Sequence, residues 1–440
     1  MMAQPGLEQE TFKTLLENLR AQSSVSDALG KIRQKAWQQY LSLGLPSRQN
    51  EAYRYIKLRH LFSQPHSSAS QKSLTASQIA PWVYPECKQS YLVFVNGAYT
   101  PELSCLDALP AKVAVLPLQE AAQTYGAFLN NHWTISLKDE TDSFAVLNGA
   151  LHQKGAFLYL PPRSIVEAPI QVLHIVNGND QFQMLMPRLH IFAGAHSNLK
   201  VIAVQKNLAA SGYFVNQVAE LVLEEGSHVH YTQVLCDEHP QAWHLDAFRA
   251  TLKRDSTLKT VCVTEGSMTV RTDYRVSLAG ENSEALLNGV WMLGDKKEAH
   301  AHVLMDHQAP CCRSNQLFKG ALTDFSRSSF EGKIMVRQAA QKTEAFQLNN
   351  NLLLDDHAHA DSKPNLEIFA DDVKASHGAT VGQLDPEQLF YMKTRGFSDE
   401  AAKNLLIYGF CEQVIEMIDL PSLREEISQK ARRYLTKSSP

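Results

Sequence analysis

The sequence between Tyr91 and Leu384 consists mainly of short apolar runs of strand type, separated by small polar turns. Several units resemble one another, each with an apolar strand, a polar turn and a second apolar strand, as in FAGAHSNLKVIAV, LEEGSHVHYTQV, LKRDSTLKTVCV, LAGENSEALLNGV and LTDFSRSSFEGKI. They recur at irregular intervals of roughly 25 to 45 residues. Helix-length amphipathic segments are scarce between them, which argues against a βαβ architecture.

A repeat of this kind predicts a β-solenoid. A single turn of strands cannot bury its own inward side chains, whereas a stack of turns forms a continuous apolar column. The ends of the stack must be covered, and we expect the helical segments on either side of it to act as caps. The periodicity alone leaves a two-sheet β-sandwich open as an alternative.

Composition and turn signals divide the chain into four regions. Residues 1–62 carry apolar side chains at helical spacing and are predicted to form an N-terminal helical region. Residues 63–78, rich in Ser, Gln and Ala, are predicted to be a flexible linker. Residues 79–384 form the predicted β-helix core, and residues 385–440 form a C-terminal helical region.

The C-terminal region carries three helix-start signals. Asp385-Pro386-Glu387-Gln388 combines an N-cap aspartate, a proline at the first helical position and a glutamine that completes a capping box. Gly396 is typical of the end of that helix. Ser398-Asp399-Glu400 opens a second helix, and a third is predicted to begin near Pro421.

Charge and the N-terminal segment argue against several classes of protein. The chain has 42 Lys and Arg against 46 Asp and Glu, so no global field attracts nucleic acid or an anionic membrane. The N-terminal segment contains Glu8, Glu10 and Glu17 and lacks the apolar core of a signal peptide. The seven cysteines have no paired spacing, so the predicted location is a reducing cytosol.

Standard catalytic and nucleotide-binding motifs are absent from the sequence. It contains no GxxxxGK[ST] phosphate loop, GxGxxG, GxSxG, HExxH or CxxC motif. We therefore expect a chain that is not an enzyme and that binds neither ATP nor a dinucleotide through a standard loop. If its biology consumes ATP, a partner must supply the nucleotide site.

Histidine is the positive feature, because three H-x-H pairs occur. The pairs are His228/His230, His300/His302 and His357/His359. Residues two apart on a strand share a face, so each pair could offer two imidazoles to one metal ion. Two ligands do not make a site, and histidines on a solvent-facing strand are the favoured interpretation.

A further histidine, His377, stands in the run VKASHGAT just before the change from strands to helices. Gly378 and Gly382 flank this run and allow close approach of the backbone, so an accessible imidazole is predicted at the end of the solenoid. By its chemistry alone, a hydrogen-bonded structural histidine is favoured.

The segment from Leu366 to Phe410, LEIFADDVKASHGATVGQLDPEQLFYMKTRGFSDEAAKNLLIYGF, resembles the C-terminal signature of the SufB/SufD family of iron–sulfur cluster assembly scaffolds, in its SufD form. Other segments follow the order seen in that family: Gly44–Leu58, Gly155–Val176, Phe330–Ile334, Lys342–Ala345, Asn350–Leu354 and Lys363-Pro364. The resemblance therefore covers nearly the whole chain.

This resemblance implies a right-handed parallel β-helix with helical ends, acting as a non-catalytic scaffold. Members of the SufD type pair with a SufB-type subunit through the β-helix and bind a SufC-type ATPase through the C-terminal helices. By analogy, the residues expected to bind the ATPase are Phe390, Tyr391, Arg395, Gly396, Leu405 and Phe410.

The resemblance also implies a role for the histidine of the SHGAT motif, here His377, in holding iron or a transient cluster at the interface with SufB. Many relatives carry cysteine two residues earlier, where this chain has Ala375. A cluster here would need thiolates from SufB, and we expect no cofactor bound stably by this chain alone. At the position where SufB proteins carry a cysteine-containing segment, this chain has Phe346-Gln347-Leu348-Asn349. In this respect the chain resembles SufD and not SufB.

Two other functions stay open. A β-helix enzyme acting on polysaccharides would place paired carboxylates in a groove, but Asp371 and Asp372 are adjacent and would point to opposite faces of a strand. A SufD-like homodimer that acts without SufB is the second alternative.

Overall fold

The strands of the chain pair into two long sheets in a computed structural model that describes residues 6–22, 28–69, 72–178 and 181–437. In chain order they are β1 (His66–Ser67), β2 (Tyr91–Val95), β3 (Ala98–Tyr99), β4 (Ala114–Pro117), β5 (Ala156–Leu160), β6 (Ile170–Val176), β7 (Phe182–Leu185), β8 (Arg188–Ala193), β9 (Asn198–Asn207), β10 (Tyr213–Leu223), β11 (His228–Leu235), β12 (Trp243–Leu252), β13 (Thr257–Thr264), β14 (Thr269–Leu278), β15 (Glu284–Leu293), β16 (Glu298–His307), β17 (Arg313–Leu322), β18 (Arg327–Val336), β19 (Thr343–Leu353), β20 (His359–Ile368) and β21 (Val373–Gly382).

Successive strands alternate between the two sheets. The main path of the 11-stranded sheet runs β20-β18-β16-β14-β12-β10-β8-β5-β4, and the 10-stranded sheet runs β21-β19-β17-β15-β13-β11-β9-β6-β2-β3. Along the paths from β5 to β20 and from β2 to β21, neighbouring strands are parallel. The strands stack into about eight turns of a solenoid. The parallel β-solenoid predicted from the sequence is confirmed, and the β-sandwich alternative is wrong.

The resemblance among the repeated units comes from a turn that recurs in each layer. Its central residue has a positive φ at His196 (58°), Gly226 (64°), Asp255 (57°), Asn282 (58°), Cys311 (59°) and Lys342 (59°). Each donates its N–H to a carbonyl of the next layer, as His196 does to Glu225 at 2.8 Å. A small hydroxyl residue often follows; the Ser256 Oγ donates to the Lys253 carbonyl at 2.7 Å. The small polar turn seen in the sequence thus consists of a residue that tolerates a positive φ, followed by a buried serine.

An apolar column fills the space between the sheets. The rings of Phe248, Tyr274, Phe318 and Phe330 follow one another along the axis, with centroids 5.5, 6.2 and 5.0 Å apart. All four side chains are buried and belong to one continuous hydrophobic cluster. Stacking thus buries what a single layer could not.

Ten α-helices flank or interrupt the solenoid within the described residues. They are α1 (Leu7–Gln22), α2 (Gly30–Leu43), α3 (Leu58–Phe62), α4 (Ala76–Ile79), α5 (Leu118–Thr124), α6 (Gly126–Asp139), α7 (Ser143–Leu151), α8 (Pro386–Thr394), α9 (Asp399–Ile415) and α10 (Pro421–Lys437). The three C-terminal helices begin where the sequence signals place them. The side chains of Asp385 and Ser398 accept hydrogen bonds from backbone N–H groups as N-caps.

Helices α5 to α7 interrupt residues 79–384, which were predicted to form the β-helix core. Helix α7 is buried on nearly every side, from Ser143 to Leu151. It therefore lacks the alternation of polar and apolar faces by which a surface helix is recognised in a sequence. The stretch 63–78, expected to be a flexible linker, also contains structure: β1 pairs with β7, His66 opposite Phe182, and α4 follows.

The C-terminal helices lie along the side of the solenoid and do not cover its end. Side chains of α9 and α10, including Val414, Ile415 and Ile427, share a hydrophobic cluster with Val234 and Val263 on the outer face of the 10-stranded sheet. No residue of α8 is buried. The expectation that these helices cap the stack is therefore wrong, because their apolar stripe is already covered by the sheet.

Candidate functional site

The end of the solenoid formed by β20 and β21 is open. These are the last strands of the two sheets, and within the described residues each is hydrogen-bonded to a neighbouring strand on one side only. Apolar side chains are exposed on or beside them at Phe346, Leu348, Ile368, Phe369 and Val381. An open edge with exposed apolar side chains is a template for pairing with another chain.

His377 lies in the middle of this open end. In the pairing of β19 with β21 it stands opposite Gln347, which is buried. Residues in register share a face, so the imidazole faces the solenoid interior yet is exposed, because no further layer covers it. Gln347 Nε2 donates to Gln316 Oε1 of the preceding layer at 2.8 Å, so His377 extends a polar row along the axis.

Ala375 lies on the same face as His377, opposite the buried Ala345. A cysteine at position 375 would therefore sit beside the imidazole, as the resemblance implies for many relatives. In this chain that place offers only a methyl group. The open end thus presents one imidazole and no thiolate on the inner face of β21.

Ion pairs fasten the C-terminal helices to the solenoid. His230 and Lys200 contact the carboxylate of Asp419, in the connection between α9 and α10. Lys430 donates to Asp237 at 2.8 Å, and Lys206 contacts the same carboxylate. Burial alone would raise the pKa of Asp237, but the hydrogen bonds from the two lysines hold it below its ordinary value. These contacts fix where α9 and α10 lie.

The outer surface of α8 and the first half of α9 is rich in exposed apolar side chains. The exposed fraction is 69% for Phe390, 56% for Tyr391 and 47% for Leu405. The guanidinium of Arg395 lies 5.0 Å from the Tyr391 ring centroid. Gly396, at φ 93°, ends α8 and allows the turn into α9. Five of the six residues expected to bind the ATPase thus lie between α8 and the first half of α9, and Phe390, Tyr391 and Leu405 are exposed there.

Phe410 differs from the other five. It is half buried and packs against the outer face of the 10-stranded sheet. Lys319 Nζ lies 4.4 Å from its ring centroid and donates to its carbonyl at 3.0 Å. The ring therefore contacts the chain's own strand β17, and the assignment of Phe410 to the ATPase-binding surface stays a prediction.

The SufBD core domain model of the SUF system for FeS cluster assembly matches residues 174–410, more than half of the sequence, and the SufBD N-terminal region model matches residues 9–172. The chain belongs to the SufBD family. The SufBD core model spans nearly all of the solenoid, the open end and the start of the C-terminal helices. The N-terminal model ends within β6.

Relatives within the SufBD family support the SufD form. The chain is 29% identical over 404 residues to the iron-sulfur cluster assembly protein SufD of Escherichia coli, covering 90% of each chain. It is 29% identical over 429 residues to a SufBD family protein of Synechocystis, covering 94% of each. Against SufB of Bacillus subtilis the identity is 24% over 341 residues, 74% of this chain and 71% of that one. The resemblance stated from the sequence is confirmed.

The three H-x-H pairs of this SufBD chain form structural contacts. His300 Nδ1 lies 2.7 Å from Ser329 Oγ, and His302 contacts Asp273. His230 contacts Asp419, and the His357 ring stacks on Phe325 with centroids 4.6 Å apart. The described residues contain one group of side chains that could hold a metal ion, and none of these histidines belongs to it.

That group consists of His132, His190 and Glu220, and sequence reasoning missed it. Their ligand atoms lie within 4.8 Å of one another. The three residues are far apart in the chain and follow no spacing motif. The pairing of β8 with β10 places His190 opposite Glu220, and the packing of α6 brings His132 to them.

None of the described helices combines the length and the apolar composition that a membrane-spanning helix requires.

Proposed function

We propose that this SufBD family chain is a non-catalytic scaffold subunit of a SufBCD-type complex, and that it pairs with a SufB-type subunit through the open end of its solenoid. The observation that carries the proposal is the uncovered layer β20–β21. Its inner face, normally buried between layers, is exposed at His377 and Val381. A second solenoid with a matching open end would bury this face and pair its backbone groups.

The exposed corner of α8 and α9 is the proposed docking surface for a SufC-type ATPase. Phe390, Tyr391 and Leu405 are exposed apolar side chains of α8 and α9, and Arg395 lies beside Tyr391. Tyrosine and arginine are typical anchors of interfaces. The ATPase would supply the phosphate loop that this sequence lacks. Because α9 and α10 are fastened to the sheet by ion pairs, a movement of the docked ATPase would be transmitted to the solenoid.

His377 is the proposed contribution of this chain to iron acquisition at the joint. A neutral imidazole suits iron, whereas the missing thiolate at Ala375 leaves soft ligands to the SufB-type subunit. Iron or a cluster would then be cargo of the complex, held transiently between two chains. The proposed location is the cytosol, where the seven cysteines, all free in the structure, stay thiols.

Co-expression of the full chain with the SufB-type and SufC-type proteins of the same cell tests this function. We expect one stable complex that contains all three proteins, with ATPase activity only when the SufC-type protein is present. Val381→Lys, which places a charge on the exposed inner face of β21, should abolish capture of the SufB-type subunit. Leu41→Lys is the matched control, since Leu41 is an exposed apolar residue of α2.

Two results would overturn the proposal. Unchanged capture of the SufB-type subunit by Val381→Lys would remove the open end as the joint. A chain that remains a homodimer in sedimentation experiments with both other proteins present would favour a function without SufB.

A further inference from the structure

A compact group of potential metal ligands lies near the start of the solenoid, on the outer face of the 11-stranded sheet. His190 on β8 and Glu220 on β10 are opposite each other in register, and α6 carries His132 across them. His132 Nε2 lies 3.2 Å from Glu220 Oε1, and His190 Nδ1 lies 3.6 Å from Glu220 Oε2. A tetrahedral ion with bonds of about 2.0–2.1 Å holds its ligand atoms about 3.3 Å apart, so each histidine nitrogen lies at a suitable distance from one of the two carboxylate oxygens.

The imidazole of His190 is fully buried, with 0% of its surface exposed, and neither ring nitrogen has a hydrogen-bond partner in the structure. Buried polar atoms without a partner are rare, because they lose hydration and gain nothing in return. One of these two nitrogens, Nδ1, is the atom that lies 3.6 Å from Glu220 Oε2.

The carboxylate of Glu220 is held in place by further contacts. Ser136 Oγ donates to Oε1 at 2.6 Å, and Arg188 donates to Oε2 at 2.7 Å. Contacts of this kind orient the ligands of metal sites.

We propose that His132, His190 and Glu220 bind a divalent transition-metal ion. Two imidazoles and one carboxylate are a ligand set typical of Zn²⁺ and of Fe²⁺, whereas Mg²⁺ and Ca²⁺ prefer oxygen ligands. Water or a small anion would complete the coordination, and an anion would offset the positive charge of Arg188. The site is separate from the open end, because β10 lies five strand positions from β20 in the same sheet, or about 24 Å.

Zn²⁺ titration of the full-length chain, stripped with a chelator, tests the proposal. We expect one equivalent to bind with a dissociation constant of micromolar or less, in competition with a chromophoric chelator. His132→Gln, on the half-buried face of α6, and His190→Gln should each weaken binding at least about tenfold. His228→Gln, which removes an exposed histidine on β11, is the control and should bind as the parent does.

Two further measurements complete the test. Co²⁺ in place of Zn²⁺ should give visible absorption bands in the parent that are lost in His132→Gln, whose circular dichroism should match that of the parent. Excess Mg²⁺ should not displace the ion. Equal Zn²⁺ affinity in the parent and His132→Gln, or displacement by Mg²⁺, would overturn the proposal, as would a parent that binds no Zn²⁺ at micromolar concentration.

Discussion

The guanidinium of Arg271 lies 3.0 Å from the carboxylate of Asp142, and only 2% of either side chain is exposed. Asp142 also caps α7, accepting from the N–H groups of Phe144 and Ala145, and accepts from the hydroxyl of Tyr53 at 2.7 Å. Arg271 belongs to β14, and its guanidinium lies 4.2 Å from the Tyr53 ring centroid. One buried ion pair therefore joins the N-terminal region, the inserted helices and the solenoid.

Arg271→Met is expected to destabilise the chain by about 3–5 kcal/mol, because it leaves the buried carboxylate of Asp142 without its paired cation. Urea unfolding followed by circular dichroism measures the loss. Arg254→Met is the matched control: Arg254 pairs with Glu225 on the surface and should contribute little. If both variants unfold at the same urea concentration as the parent, the buried pair does not hold the regions together.

The same pair predicts how stability depends on pH. Burial alone would raise the pKa of Asp142, but Arg271 lowers it below the ordinary value of about 4. A carboxyl whose pKa is depressed in the folded state stabilises that state above its unfolded pKa, and the contribution is lost as pH falls through the folded pKa. We expect the parent to lose stability below about pH 4 more steeply than Asp142→Asn. Urea unfolding between pH 7 and pH 3 checks this; parallel profiles would contradict it.

Local signals in the sequence were sufficient to predict the solenoid and the first residues of the C-terminal helices. Asp255-Ser256 shows both requirements of the recurring turn, and Asp385 and Ser398 are helix caps that act through neighbouring backbone groups. Such features depend on a few adjacent residues and can be recognised without the fold. The position of His377 on the terminal layer followed from its place just before the first of these caps.

Features that depend on long-range pairing could not be predicted. The approach of His190 to Glu220 requires the register of β8 with β10, and a shift of one residue would place them on opposite faces. The contact of Phe410 with Lys319 joins two residues that are 91 positions apart in the sequence. Helix α7 was missed because an all-round buried helix shows no amphipathic pattern.

Replacing the exposed aromatic and basic residues at the end of α8 tests the proposed docking of the ATPase. Tyr391→Ala and Arg395→Ala should each weaken capture of the SufC-type protein by about 2 kcal/mol, roughly thirtyfold in Kd. Phe325→Ala, at an exposed turn between β17 and β18, should leave capture unchanged. Binding is measured by titration of the SufC-type protein against the immobilised chain. Unaltered affinity in both α8 variants would remove this corner from the interface.

His377→Ala tests the proposed role of the open end in holding iron. The side chain is exposed and faces no partner that folding requires, so the variant should still assemble with the SufB-type and SufC-type proteins. Its complex should retain less iron or cluster than the parent complex, because an imidazole ligand is lost at the joint. The control is His359→Ala, since His359 is exposed at the start of β20, the last strand of the other sheet. Iron is determined by colorimetric assay and by visible absorption after anaerobic purification. Equal iron content in the His377→Ala and parent complexes would show that the imidazole serves the interface in another way.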